Sequence, residues 1–265
     1  MKTRVSALLA ICLLSCSSAA SAELVRIDVG QPLARFSLLQ PGAHRYLRYT
    51  VGPDGQRNAV DIWERRISFA PAPDGKAGMH IVQRWDEVGS KTVLIQDSWF
   101  DRGTFKPLTH IRHVEKDGKS QLGGYRFAAG KVVGMTDLPD NLRRDFVMPM
   151  PEPSYNFEYD MELLQALPLT AGRTFDIPFY DAGIDQKPDR YRFKVAASSK
   201  VRDWDNRLID CWLVTADYHT GKVVSRFWFD KTSQVLVREE AMQPDGKLLV
   251  KTLLPPESAD LKAPS

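Results

Sequence analysis

The sequence is poor in cysteine and in long apolar runs, and each shortage excludes a class of protein. Of its three cysteines, only Cys211 lies beyond residue 22. A domain with a single cysteine forms no internal disulfide, so its stability must come from a hydrophobic core. Beyond residue 22, no apolar run reaches the roughly 20 residues that a membrane-spanning helix needs. We therefore expect neither a disulfide scaffold nor a transmembrane protein.

Catalytic motifs are also missing. The sequence has no nucleophile elbow, phosphate-binding loop or zinc-protease signature. His110 and His113 are three residues apart in a strand-like segment, which points them to opposite faces of the strand and argues against a shared metal. We assign no catalytic residue, no metal ligand and no cofactor.

Positive charge is neither large nor concentrated. The formal net charge is +3, and Lys2 and Arg4 near the N-terminus supply part of it. No basic stripe follows them, so nucleic acid is not an expected partner.

What is present begins with an export signal. Lys2 and Arg4 precede an uncharged apolar run over residues 5–14, and small residues end in Ala-Ser-Ala at 20–22. This order of charge, apolar run and A-x-A site is typical of a secretory signal peptide. We expect cleavage after Ala22 and export, most simply to the periplasm of a Gram-negative bacterium.

A second processing route is open. The segment Leu13-Leu14-Ser15-Cys16 looks like a lipobox, which would make Cys16 a lipid-anchored N-terminus. The leucine at its second position is atypical of that pattern, and the A-x-A order at 20–22 favours ordinary cleavage.

The rest of the chain is dominated by alternation of period two. Residues 190–195 place Tyr191, Phe193 and Val195 on one face and three cations on the other, as a half-buried strand does. Similar strand candidates, separated by turn residues, are 45–49, 59–69, 79–85, 91–100, 108–114, 125–127, 131–135, 174–179, 208–215, 223–229, 234–238 and 248–253. Short strands with close turns predict antiparallel meanders. We expect one β-rich domain over residues 23–254 and a disordered tail at 255–265.

The middle of the chain differs from this pattern. Residues 137–153 carry four prolines and predict a crossing loop, with one helical turn at 140–146. Phe157, Met161 and Leu164 then follow helical spacing, which predicts a short amphipathic helix over 157–167. Asp160 and Glu162 are two apart and do not face each other on a helix, so we interpret them as a solvated flank.

Aromatic residues are frequent in the strands. They are Trp63, Trp85, Trp99, Trp212, Trp228, Phe227 and Phe229. They can form an ordinary core or line an apolar concavity. We take Asp210 as an outward-facing residue. Alternation then predicts one inner face with these residues: Tyr191, Phe193, Val195, Ile209, Cys211, Leu213, Phe227 and Phe229. All of these except Cys211 are our ligand-binding candidates, and the prediction leaves Trp212 and Trp228 on the polar side.

Several segments resemble a family of exported bacterial domains of unknown function, DUF3108. They are 97–108 (DSWFDRGTFKPL), 159–169 (YDMELLQALPL), 175–183 (FDIPFYDAG), 209–213 (IDCWL), 226–231 (RFWFDK) and 244–246 (PDG). The resemblance implies a mainly β fold: one strongly curved antiparallel sheet, an open half-barrel with one or two short helices. Such a sheet is similar to the periplasmic lipoprotein carriers, which hold acyl chains on the concave face. The family supplies no catalytic residues.

Together these observations favour a periplasmic, non-catalytic binding or carrier-like protein for an apolar, lipid-like ligand or for an envelope partner. Two alternatives stay open. One is a hydrolase-like enzyme whose residues converge only in three dimensions, and the other is a structural protein that docks in the envelope. Apolar lining of the concavity favours the carrier, whereas convergent carboxylates or histidines with perturbed pKa values favour the enzyme.

Overall fold

The computed structural model describes residues 23–219 and 224–256. The predicted signal peptide, the lipobox and most of the predicted tail lie outside these residues. Within them, no helix has both the length and the apolar character to cross a membrane.

The described chain is built almost entirely of strands. They are β1 (Glu23–Arg26), β2 (Gly42–Val51), β3 (Arg57–Pro71), β4 (Ala77–Glu87), β5 (Val93–Asp101), β6 (Pro107–Lys116), β7 (Lys119–Ala128), β8 (Lys131–Gly134), β9 (Val147–Pro149), β10 (Tyr155–Asn156), β11 (Arg173–Tyr180), β12 (Asp189–Arg202), β13 (Leu208–Ala216), β14 (Ser225–Asp230), β15 (Leu236–Met242) and β16 (Leu248–Leu253). A 3-10 turn at Phe36–Leu38, a second at Phe157–Tyr159 and helix α1 (Asp160–Gln165) complete the list.

All of these strands belong to one sheet. Its order is β1-β11-β12-β13-β14-β15-β16-β2-β3-β4-β5-β6-β7-β8-β9, and β10 also pairs with β11. Neighbours are antiparallel except β1 and β10, which run parallel to β11. The sheet is open and curved and does not close into a barrel, which confirms the predicted fold class. Because β16 pairs with β2, the two halves of the chain join in the middle of the sheet.

Most of the predicted strands are present in the structure, and the strands that the sequence does not predict are short. β1, β9 and β10 have two to four residues each, too few for an alternation to be recognised. The predicted helical turn at 140–146 is wrong, because this segment forms non-helical turns before β9. Asn141 organises it by accepting from Gly124 N and donating to the carbonyls of Gly124 and Met135.

The predicted helix lies across the concave face of the sheet. Asn156 caps its start, where the side-chain oxygen accepts a hydrogen bond from Glu158 N at 3.3 Å, as is typical of an N-cap. The helix is buried on several sides, since Met161, Leu163 and Leu164 are at most 4% exposed. Gln234 fixes its end by donating to the carbonyls of Gln165 and Leu167. One half of the concavity is therefore filled by the chain itself.

One part of the predicted inner face is wrong. Phe227 lies opposite Val214 and Phe229 lies opposite Trp212, and residues opposite each other share a face. Side chains alternate between the two faces of a strand. The outer face of β13 therefore carries Ile209, Cys211 and Leu213. The reason is that Asp210 lies near the exposed start of the strand, where an inward-facing acid still meets water.

The outer face of β13 nevertheless carries apolar contacts. Leu213 lies opposite Trp228, whose Nε1–H donates to Ser199 Oγ at 3.3 Å. Cys211 is completely buried on this face. Burial and the nearby carboxylates of Asp230 and Asp210 raise the pKa of its thiol to about 12.

We predict that Cys211 is inert in the folded protein, because thiols react as thiolates. A thiol reagent should label it only after unfolding. Replacing it with alanine should cost about 1–2 kcal/mol of the free energy of unfolding. Labelling of the native protein at the rate of a free thiol at neutral pH would refute this assignment.

Candidate functional site

A row of charged side chains crosses the concave face beside the helix. Strand pairing places Glu239 beside Lys251, Lys251 beside Arg48, and Arg48 close to Asp61. Lys251 pairs with Glu239. Arg48 Nε donates to Asp61 Oδ1 at 2.8 Å, and the Asp61 side chain is 1% exposed. The inner face of the sheet is thus apolar under the helix and charged beside it.

A buried ion pair anchors the helix to the sheet. Arg65 Nε donates to Glu162 Oε1 at 2.5 Å, and both side chains are less than a tenth exposed (3% and 6%). Arg65 also donates to the carbonyl oxygen of Glu158 at 3.3 Å. The interpretation of Glu162 as a solvated flank is therefore wrong. Its partner lies 97 residues away, so local spacing could not reveal it.

Two stacked tryptophans line the same region. The Trp63 and Trp85 rings lie 5.2 Å apart and 14° from parallel. Lys251 Nζ lies 4.1 Å from the centre of the Trp63 ring, and the Arg65 guanidinium lies 4.3 Å from it. Cations are attracted to the face of an aromatic ring. Lys251 and Arg65 make this kind of contact with Trp63.

These groups border a cavity of about 560 Å³ between the helix and the sheet. Its lining residues are Arg48, Trp63, Arg65, Trp85, Phe157, Glu158, Asp160, Gln186, Tyr191, Tyr218, Glu239, Ala241, Gln243, Leu249 and Lys251. A smaller cavity of about 230 Å³ shares Arg48, Trp85 and Glu158 with it. We call the two together the charged cleft. Its volume is in the range of small-molecule binding sites.

Several buried polar atoms around the cleft have no partner among the described residues. They are Trp63 Nε1, Gln83 Oε1 and both amide atoms of Gln96. Trp63 lines the larger cavity and Gln96 the smaller one, and the two side chains are 3% and 0% exposed. Unpaired buried polar groups are rare in proteins because each costs free energy. Four of the eight such atoms in the described residues thus lie behind the walls of the cleft.

Asp160 is the one acid of the cleft without an ion pair or hydrogen bond in the described part of the chain. The pKa of its carboxyl is raised to about 7, first by desolvation and then by Glu239. Its interpretation as a solvated flank needs a correction: the side chain is half-buried and lines the cavity. Nothing in the local sequence distinguishes it from an ordinary acid in the first turn of a helix.

Deeper in the core lies a neutral polar cluster. Ser98 Oγ is 2.8 Å from His110 Nδ1, and burial lowers the pKa of His110 to about 3. Both residues are about 1% exposed or less, so no substrate reaches them and we assign them a structural role. Within the described ranges no three His, Cys, Asp or Glu side chains are grouped as for a metal.

The predicted ligand-binding residues separate into three groups. Phe193, Val195, Phe227 and Phe229 are at most 1% exposed and pack in the core with the helix. Ile209 and Leu213 lie on the outer face. Tyr191 lines the charged cleft, so it is the one candidate that the structure brings to a cavity.

Fold and cleft together define a class of protein: an open half-barrel of one antiparallel sheet, with a helix across part of its concave face and a cleft in the remainder. Within this class, the chain belongs to the family DUF3108, described as a protein of unknown function, whose model matches residues 46–251. No curated protein matches the sequence.

Solved structures with a similar course of the chain are distant in sequence. A β-barrel-like protein with a domain of unknown function, DUF1849, from Brucella abortus is 12% identical, with a TM-score of 0.48 over 81% of this chain and 95% of that one. A candidate exported protein with a YmcC-like fold from Bacteroides fragilis is 13% identical, with a TM-score of 0.29 over 81% and 94% of the two chains. A candidate lipoprotein from Parabacteroides distasonis is 8% identical, with a TM-score of 0.29 over 84% and 98%.

Proposed function

We propose that this protein is an exported, envelope-located binding protein that holds a polar organic molecule in the charged cleft. The observation that carries the proposal is the division of the concave face. The helix fills the apolar part, and the part left accessible is lined by stacked tryptophans and by charged side chains that form ion pairs. Export is supported by the order of residues 2–22.

The ligand differs from the lipid-like one that the sequence favours. The large apolar side chains of the predicted face pack in the core, where Phe193 and Phe229 have no exposed surface. They are therefore not available to a ligand. An acyl chain placed in the cleft would contact charged groups such as Arg48, Glu239 and Lys251, and burying charges against hydrocarbon is unfavourable. Flat aromatic walls and fixed donors and acceptors instead suit a compact polar molecule.

The cleft is a better candidate than the outer face of the sheet. A depression of about 850 Å³ lies over β11–β13 and is lined by Asp176, Arg190, Arg192 and Lys194, among others. Arg190 is held by Asp176 and Glu152, and Arg192 is 70% exposed. This surface therefore presents solvated charges without aromatic walls.

We predict that filling the cleft abolishes ligand retention. Ala241 lines the larger cavity, and a tryptophan there should occupy the space of the ligand. Protein is incubated with the polar small-molecule fraction of the host envelope and freed of unbound compounds, and mass spectrometry then identifies what it retains. Ala241→Trp should lose the compounds that the wild type retains. Ala128→Trp, at an exposed position of β7, should keep them.

Equal retention by wild type and Ala241→Trp would refute the cleft as the binding site. The melting temperatures of both variants are measured in the same experiment. If Ala241→Trp is folded, a loss of the retained compounds is caused by the filled cleft and not by unfolding.

A second candidate is an enzyme that uses Asp160 as a general acid. It is favoured by the raised pKa of Asp160 in a cavity that also contains Glu239, since acid–base catalysts are tuned toward neutral pH in this way. A time course of the same extract separates the two candidates. Compounds retained unchanged support binding, whereas compounds consumed by wild type and spared by Asp160→Asn support the enzyme.

A further inference from the structure

Each cation of the cleft is paired with a carboxylate, which leaves two acids of the described residues without a cation: the exposed Glu87 at the edge of the smaller cavity and Asp160 in the larger one. Arg48 pairs with Asp61, Arg65 with Glu162, Lys251 with Glu239, and Arg112 lies 3.7 Å from Glu158. Asp160 lines the same space with no cation of its own among the described residues. Every cation near it is already neutralised by another carboxylate, so Asp160 is the excess negative charge of the larger cavity.

The position of Asp160 at the start of α1 does not compensate this charge. The helix has six residues, too few for a strong dipole. Burial raises the pKa of this half-buried carboxyl. An unpaired charge at a desolvated position is a free-energy cost to the empty protein, and a ligand that supplies the opposite charge would relieve it.

Three aromatic side chains line the same cavity as Asp160. Phe157 lies 5.3 Å from Tyr191 and 5.6 Å from Tyr218, and the two tyrosine rings are 5.9 Å apart. Asp160 is close enough to Tyr218 to raise the pKa of its hydroxyl. Such rings attract cations, and amines and quaternary ammonium groups are bound in proteins by aromatic cages of this composition.

We propose that the ligand of the charged cleft carries a positively charged nitrogen, an amine or ammonium group, for which Asp160 is the counter-ion and Phe157, Tyr191 and Tyr218 form the wall. This inference rests on the proposed function and specifies its ligand class.

The proposal predicts a dependence of binding on pH. The charged groups that face Asp160 are Glu162 on its own helix, Arg65 on β3, Glu239 on β15 and Lys251 on β16. These stay paired near neutral pH, so the cation competes with a proton for Asp160 alone. With a pKa of about 7 in the empty protein, binding should strengthen about tenfold between about pH 6 and pH 8.

Three probes that share one ring test this directly: benzylamine, benzyltrimethylammonium and the neutral benzyl alcohol. Calorimetric titration of the full exported protein should show that both cations bind at pH 8 at least about tenfold more tightly than the alcohol. Asp160→Asn should lose this preference and the pH dependence. Asp145→Asn, an exposed acid of the turn before β9, should retain both.

The same variant reports on folding. The folded-state pKa of Asp160 lies above its ordinary value, so the wild type loses stability as pH rises from the ordinary range of an aspartate through about 7. Asp160→Asn lacks this loss and should melt at a higher temperature than wild type at pH 8. A variant that is more stable but no longer binds the cation separates the binding role from a structural one.

Equal affinity for the cations and the alcohol, unchanged cation binding in Asp160→Asn, or failure of both cations to bind up to the millimolar range would each overturn the inference. If Asp160→Asn still retains the envelope compounds that Ala241→Trp loses, the cleft binds a ligand that is not a cation. In that case the proposed function stands and this inference fails.

Discussion

Replacing Glu162 with glutamine is expected to lower the free energy of unfolding by about 3–5 kcal/mol. The change removes the carboxylate from Arg65, whose side chain is 3% exposed. A guanidinium left without its counter-ion at such a position has lost its partner and cannot reach water. Urea unfolding of the wild type and the variant measures the difference. The result also bears on function, because the pair fixes the helix that forms one wall of the cleft.

A matched control uses the same substitution in an exposed pair. Glu64 pairs with Arg66 at 2.9 Å, and the Arg66 side chain is 56% exposed. Glu64→Gln should cost less than about 1 kcal/mol. Combining Arg65→Met with Glu162→Leu removes both charges and should recover much of the stability lost by the single variant. A cost for Glu162→Gln no larger than that for Glu64→Gln would show that the pair is solvated.

Truncation of Phe229 should be as damaging, at about 3–5 kcal/mol for the change to alanine. Phe229 has no exposed surface and lies opposite Trp212 on the inner face. Leu213 lies between Trp212 and Val214 in sequence but on the outer face, where it is half-buried. Leu213→Ala should therefore cost only about 1 kcal/mol. Denaturant titrations of the two variants compare the free energy of unfolding that is lost on the inner face with the loss on the outer face.

This comparison decides the register at β13. The sequence-based assignment placed Leu213 and Phe229 on one face, which would make their truncations similarly costly. The strand pairing separates them. A loss for Leu213→Ala as large as that for Phe229→Ala would contradict the pairing of β13 with β14.

Strands such as β12 could be predicted because several charged and apolar residues alternate without exception over 190–195. β13 was assigned to the wrong face because the prediction relied on a single acid, Asp210, at an exposed strand end. A charge constrains the facing of a strand only where the alternative face is buried. The apolar spacing predicts a helix over 157–167, and the structure forms helical turns over 157–165, because this spacing is a local property.

The cleft could not be predicted in the same way. Its contacts join residues distant in sequence, such as the ion pair of Arg65 with Glu162 and the hydrogen bond that Lys251 Nζ donates to Met161 Sδ. Asp160 and Glu162 are neighbours with different environments, one lining a cavity and one buried in an ion pair. Only the packing of α1 against β3, β15 and β16 distinguishes them. Trp63 and Trp85 were noted as strand aromatics, but their stacking depends on the pairing of β3 with β4.

The central claim is that the charged cleft, rather than the apolar core, receives a polar ligand. The six tryptophans test it most directly, because each gives one indole N–H signal in a two-dimensional NMR spectrum. Trp63 and Trp85 line the cleft, and Trp99, Trp204, Trp212 and Trp228 lie elsewhere. Titration with the polar envelope fraction should shift the Trp63 and Trp85 signals and leave the other four in place. Shifts of Trp212 beside the core, with Trp63 and Trp85 unchanged, would contradict the account.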